Sequence, residues 1–204
     1  VRRWAGLAAA VIAAMALGRV ITEQVPIDQV ADQPFVRAGT LGHPVHLEYA
    51  DVTVTNLRVT PRLYGVDPVK AAGRFVLVDL EIRARRESTD LAGISLTDSH
   101  GRRFVPTDRG TACAVRTTAP TGLPWYAVFC FDVPRSALEG ARLVVARGDY
   151  EVNGSGQRRD DQARIDLGVD GKDVGGLWDA DLAYRGQLPG FDKVDTSPVK
   201  ETTP

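Results

Sequence analysis

The chain has 204 residues, 44% of them hydrophobic, and a formal net charge of -1, which suits one buried core flanked by tails. That balance gives no electrostatic drive toward nucleic acid, whose binding rests on clustered Lys and Arg neutralising phosphates, so nucleic acid is excluded as a partner class. Many glycines and few aromatics fit short strands joined by tight turns.

In chain order, Arg2 and Arg3 precede an apolar run from Trp4 to Gly18, and the chain turns polar at Thr22. Residues 1–22 therefore have the make-up of an export segment, either a signal anchor or a cleaved signal peptide. The run is short against the roughly 20 residues a membrane span needs, although Arg19 can snorkel and let Val20 and Ile21 extend it. Ala14-Met15-Ala16 satisfies the small-x-small pattern of a cleavage site. Lys and Arg favour the cytoplasmic side, so the chain beyond Arg19 is expected outside. The expected location is the cell membrane, single-pass with the C-terminal domain outside, or else secreted. The membrane is the partner expected of this segment.

Residues 23–34, proline-spaced and acidic, form a linker. The domain is expected over residues 35–170. In VHLEY, Val45, Leu47 and Tyr49 alternate with His46 and Glu48, the pattern of a strand with one wet face. DVTVTNLRVT changes parity between Val52/Val54 and Leu57/Val59, which predicts a bulge at Thr55 and Asn56. Pro61 is expected to close that strand, with a surface loop running on to Gly73. The next strand places Val76, Val78, Leu80 and Ile82 on the core face and Asp79, Glu81 and Arg83 in solvent. Phe75 and Leu77 imply cover on both faces of its first half. Ile94 and Leu96, the turn Asp98-Ser99-His100-Gly101 and Arg102 to Val105 make a hairpin. Strands follow at Trp125 to Val133, Arg142 to Ala146 and Ala163 to Val169. With no helical stripe in the domain, the expected class is all-β, an antiparallel β-sandwich behind an N-terminal hydrophobic helix.

The order GRFVLVD (Gly73 to Asp79), LTD (Leu96 to Asp98) with Gly101 and Phe104, and FCFDVP (Phe129 to Pro134) resembles one family. It is similar to the immunoglobulin-like β-sandwich family of secreted and membrane-anchored bacterial proteins of unknown function, related to the actinobacterial immunoprotective extracellular antigen. The resemblance covers roughly Phe35 to Arg147. It implies an extracytoplasmic immunoglobulin-like module and carries over no catalytic residues. The chain departs from the pattern in its two cysteines and its long C-terminal extension.

Cys113 and Cys130 are expected to pair, because an oxidising exterior favours one disulfide over two thiols. Alternation in AVFCFDV puts Ala127, Phe129, Phe131 and Val133 on one face and Cys130 on the other. The bridge should then fasten an outer segment rather than join two sheets through the core, as the bridge of antibody domains does.

Chemistry-bearing patterns are few. His43 and His46 are offset by three, which puts them on opposite faces of a strand. Asp166, Asp170 and Asp173 near Gly171 miss a calcium loop, since Gly168 and Leu177 stand where ligands belong. Gly154-Ser155-Gly156 lacks the order and setting of a hydrolase elbow, and Asn153-Gly154-Ser155 reads as a turn. No cofactor, metal site or catalytic residue is expected.

Arg83, Arg85 and Arg86 end one strand, and Arg102, Arg103 and Arg109 lie on or after a hairpin. If they converge they offer an interaction surface for an anionic partner, although Glu81, Glu87, Asp90 and Asp98 are interspersed. Residues 171–204 form a C-terminal extension with a disordered end. Its Trp178, Leu182, Tyr184, Leu188 and Phe191 are expected either to dock along a sheet edge or to bind a partner, so Trp178 joins the candidate surface. The preferred function is a non-catalytic, extracytoplasmic binding or interaction module, whose partner is an extracytoplasmic protein or an anionic surface. The alternatives are an accessory subunit of an envelope or secretion complex and, last, an envelope hydrolase, for which no nucleophile and base are visible.

Overall fold

The computed structural model describes residues 13–20, 33–64, 69–109, 113–148, 160–185 and 187–198. Two compact units are present, Val1–Gln33 and Pro34–Pro204. In the first, residues 13–20 are helical (α1). Among the described residues no helix is long and apolar enough to cross a membrane. The rest of the export segment, most of the linker, the 153–156 motifs and the chain end lie outside the described residues.

The second unit is mostly β. Its strands are β1 (Phe35–Thr40), β2 (Val45–His46), β3 (Ala50–Tyr64), β4 (Val69–Ala84), β5 (Thr89–Leu91), β6 (Ser95–Thr97), β7 (Arg103–Phe104), β8 (Thr117–Ala119), β9 (Trp125–Val133), β10 (Arg142–Val145), β11 (Asp161–Asp166) and β12 (Tyr184–Arg185). A seven-residue helix, α2 (Asp173–Asp179), precedes the last strand. One sheet has the order β1-β11-β10-β6-β7. The other runs β12-β3-β4-β9, with β2 also on β3, and β5 pairs with β8 separately. The two larger sheets pack as a β-sandwich-like fold over one apolar layer. Val76, Val78, Leu80 and Ile82 of β4 and Phe129 and Phe131 of β9 meet Leu96, Leu143, Val145, Ala163 and Ile165 there.

Two bulges in β3 decide which side chains reach that layer. The β3–β4 register shifts between Val54 and Asn56, so Val52, Val54 and Val59 all reach the core despite their opposite parity. That is the predicted bulge. A second shift lies between Thr60 and Arg62. Pro61 therefore does not end the strand: a proline is tolerated at a bulge, where it need not donate to the ladder. β3 runs on to Tyr64 and β4 already begins at Val69, so most of the expected surface loop is the far end of a long hairpin. After the second shift Leu63 faces outward, where it joins Phe75, Leu77, Val128, Cys130 and Tyr184 in a second apolar cluster.

That outer cluster exists because the extension covers it. The chain leaves α2, lets the Thr60 hydroxyl donate to the Leu182 carbonyl at 2.6 Å, and pairs β12 with β3. It then reaches the opposite edge, where Gly190 and Tyr126 exchange backbone hydrogen bonds at 2.7 and 2.9 Å, and Phe191 meets Trp125 edge to face at 4.9 Å. The segment is thus a strap across the second sheet. It also changes two expectations. Asp79 is fully buried rather than solvated, because it lies under the strap in an ion pair with Arg58. The sheets are not purely antiparallel either, since β12 runs parallel to β3 and β1 runs parallel to β11.

Candidate functional site

The sequence-predicted arginines do not form one surface. Arg83, Arg85 and Arg86 stand at the C-terminal end of β4 and in the turn after it, where each has a carboxylate. Arg83 pairs with Glu81 at 2.7 Å, Arg85 with Asp51 at 2.6 Å and Arg86 with Glu48 at 3.5 Å. Burial would push the Asp51 carboxyl up, but hydrogen bonds from His46 and Arg85 outweigh it and hold it below the ordinary value. Arg102 lies toward the other end of β4: it donates to the Ser136 hydroxyl at 3.0 Å, just past Val133, which pairs with Arg74. Arg109 is occupied by Asp132 at 3.1 Å. Trp178 is half-buried, with the Arg74 guanidinium over its ring at 5.8 Å, so its indole serves the strap.

Of those arginines, Arg103 reaches a concavity. The first sheet turns its apolar residues inward, and alternation sends Ser95 and Thr97 (β6), Arg103 (β7), Arg142 and Val144 (β10) and Gln162 and Arg164 (β11) outward. They line an open recess of about 490 Å³, within the size range of ligand sites. The strand register fixes their spacing. Thr97 pairs with both Arg103 and Arg142, and Val144 pairs with Arg164. Arg142 lies 3.9 Å from Asp166, and Arg164 Nε donates to the Gln162 amide oxygen at 3.2 Å.

A turn and a close backbone contact frame the recess. At one end Asp98 Oδ1 accepts the backbone N–H groups of His100 and Arg102 at 2.9 and 2.8 Å, and its Oδ2 accepts Arg102 Nε at 2.5 Å. Gly101 completes this turn with φ 79°, a left-handed conformation that suits glycine. Burial acts to raise the Asp98 carboxyl, but Arg102 and the two backbone N–H groups prevail and lower it. On the other side Gly93 and Ala146 exchange backbone hydrogen bonds at 3.0 and 3.1 Å. A Cβ on Gly93 would stand 2.0 Å from the Gly148 carbonyl oxygen, so glycine is what lets the two segments touch.

Asp98→Ala should cost about 2 kcal/mol, because it removes a buried carboxylate whose charge-assisted bonds hold an exposed turn. The sign of its pH dependence follows from the lowered carboxyl. Its stabilisation is present above the ordinary value of 3.8 and is lost as the pH falls below it. Urea unfolding of wild type and variant should therefore give midpoints that are well separated at neutral pH and converge in acid.

Among the described residues no group of three His, Cys, Asp or Glu side chains is placed to hold a metal ion. Asp166 and Asp170 instead accept backbone N–H groups in their own turns, from Gly168 at 2.8 Å and Lys172 at 2.9 Å. Cys113 and Cys130 are joined, with 5.5 Å between their Cα atoms. Ala114 donates to the Val128 carbonyl at 2.8 Å beside the bridge, so it fastens an outer segment along the edge of β9, as expected. Sequence reasoning missed Arg142, Gln162 and Arg164. Their signal was the polar half of two alternating strands, which also describes an ordinary wet face.

No family model matches the chain, and no curated protein sequence matches it significantly. Two solved bacterial structures are similar in fold. The yjhA protein of Bacillus subtilis is 13% identical with a TM-score of 0.49, over 63% of this chain and 99% of that one. An uncharacterized β-sandwich protein of Clostridium difficile is 9% identical with a TM-score of 0.39, over 66% and 96%.

Proposed function

We propose that the chain is an extracytoplasmic, non-catalytic binding module on an immunoglobulin-like sandwich, held at or exported across the membrane by its N-terminal segment. The observation that carries this reading is the recess on the outer face of the first sheet. Hydroxyls, an amide and guanidinium groups converge there on strands, which hold them more rigidly than loops would. The Cys113–Cys130 bridge supports an oxidising compartment. The resemblance of the GRFVLVD and FCFDVP stretches supports the immunoglobulin-like assignment.

Thr97→Trp puts a large ring on the wall of the recess at a half-exposed strand position. Purified protein carrying it should lose about tenfold or more in retention on cell-envelope fractions, as expected when a contact surface is blocked. Its thermal midpoint should stay near wild type. Undiminished retention would show that this face is not the ligand surface. An accessory-subunit role has one observation in its favour: among the described residues β1 is the outer strand of its sheet, with Phe35 62% and Val36 46% exposed, an edge suited to strand addition.

A further inference from the structure

We propose that the recess binds an extended, carboxylate-bearing glycan; this rests on the binding-module reading above. Arg103 and Arg142 flank Thr97 on either side, so their backbones stand two strand spacings apart, about 10 Å. Arg164 pairs with Val144, two residues along from Arg142, which makes it a diagonal neighbour at about 7–8 Å. The three arginines form an oblique row across β7, β10 and β11. The row is longer than a compact anion such as free phosphate, whereas a chain with charges at intervals spans all of it.

The groups between the arginines point to the same class. Ser95, Thr97 and Gln162 line the recess and both donate and accept hydrogen bonds, which suits a hydroxyl-rich ligand. Each guanidinium offers the planar fork that matches a carboxylate. Charge density argues against stronger polyanions, because Asp166 lies beside Arg142 and Asp98 stands in the same wall. Carboxylates there repel a densely charged polyphosphate more than a glycan with one charge per few sugars. The concave shape takes in a chain, whereas a planar bilayer would meet a protrusion.

The test uses the full chain with polygalacturonate as probe, at low ionic strength, beside neutral dextran, polyphosphate and vesicles of anionic lipid. Wild type should bind polygalacturonate, weaken with added salt, and ignore dextran. The double variant Arg142→Gln/Arg164→Gln should bind about tenfold or more weakly, the loss expected when charge-assisted bonds are removed. Its melting midpoint should be unchanged, since both side chains are exposed. The double variant Arg83→Gln/Arg86→Gln, which removes the same charge at the far end of β4, should bind as wild type. Equal loss in both double variants, or preference for polyphosphate or vesicles, overturns the assignment. If Thr97→Trp abolishes envelope retention while polygalacturonate does not bind, the glycan class falls and the module stands. If Thr97→Trp changes nothing, both fall.

Discussion

Replacing Arg58 with Met while Asp79 stays in place is expected to destabilise the fold by about 3–5 kcal/mol, the penalty for leaving a buried charge without its partner. The two side chains are 3% and 0% exposed and form an ion pair beneath the strap. Arg58 also lies over the Tyr184 ring at 5.0 Å and donates to the Asp195 carbonyl at 3.5 Å. The pair thus ties the second sheet to the segment that covers it. Burial pushes the Asp79 carboxyl above its ordinary value of 3.8, and the pull of Arg58 the other way does not prevail. A raised carboxyl binds its proton more tightly in the folded chain than in the unfolded one. Its contribution to stability therefore falls as the pH rises from about 3.8 toward the raised value. Loss of Arg58 raises that carboxyl further, so the deficit of Arg58→Met should be largest at neutral pH and shrink in mild acid. Denaturant titrations at about pH 7 and pH 4.5 check this slope. The double variant Arg58→Met/Asp79→Leu should recover to within about 1–2 kcal/mol of wild type, because well-packed apolar residues commonly replace a buried pair without loss. If the double variant is no better than Arg58→Met, an unpaired Asp79 is not the cause.

Removing the disulfide as Cys113→Ala/Cys130→Ala is expected to cost about 3 kcal/mol, from the entropy regained by a loop of about 17 residues in the unfolded chain. At this chain length that is a fall of about 6–12 °C in thermal midpoint. Cys130 has no exposed surface and packs with Leu63, Phe75, Leu77, Val128 and Tyr184, so alanine is a better replacement than serine, whose hydroxyl would be buried without an assured partner. The segment keeps two backbone anchors, Thr107 N–H to the Cys130 carbonyl and Ala114 N–H to the Val128 carbonyl, both at 2.8 Å. The variant should therefore stay folded. The expected local effect is faster hydrogen exchange at Ala114, with little change at the amides of β10 and β11 in the other sheet. A midpoint within a degree or two of wild type would show that those anchors and the packing, not the covalent link, hold the edge of β9.

Much of the fold was legible because strand periodicity is local information. β9 has the bounds that its alternation gives, and the Asp98 to Gly101 turn returns as a hairpin because Asp98 and Gly101 are turn residues by their own chemistry. The bulge at Thr55 was legible too, since a parity change in a run of apolar residues has few other outcomes. Pro61 misled because a proline's cost in a strand depends on whether a ladder bond is needed there, and the register around it decides that. Asp79 misled for a related reason: on a half-wet strand a carboxylate faces solvent unless another segment covers it. That segment lies about a hundred residues downstream. The candidate recess was the least legible part, because Arg142 and Arg164 are ordinary polar positions until the register sets them on the same sheet face as Arg103.

By itself the amino-acid sequence determined the β class, the core-facing residues of β4 and β9, the opposite orientation of Cys130 and the parity change in β3, all consequences of a two-residue repeat and local turn chemistry. Only the tertiary structure decided the parallel pairings of β1 and β12, the burial of the Arg58–Asp79 pair and the placing of Arg103, Arg142 and Arg164 on one face of the first sheet, apart from the arginines at the end of β4. Those depend on which distant segments lie side by side. Burial and electrostatic environment are properties of such neighbours rather than of any one stretch of chain.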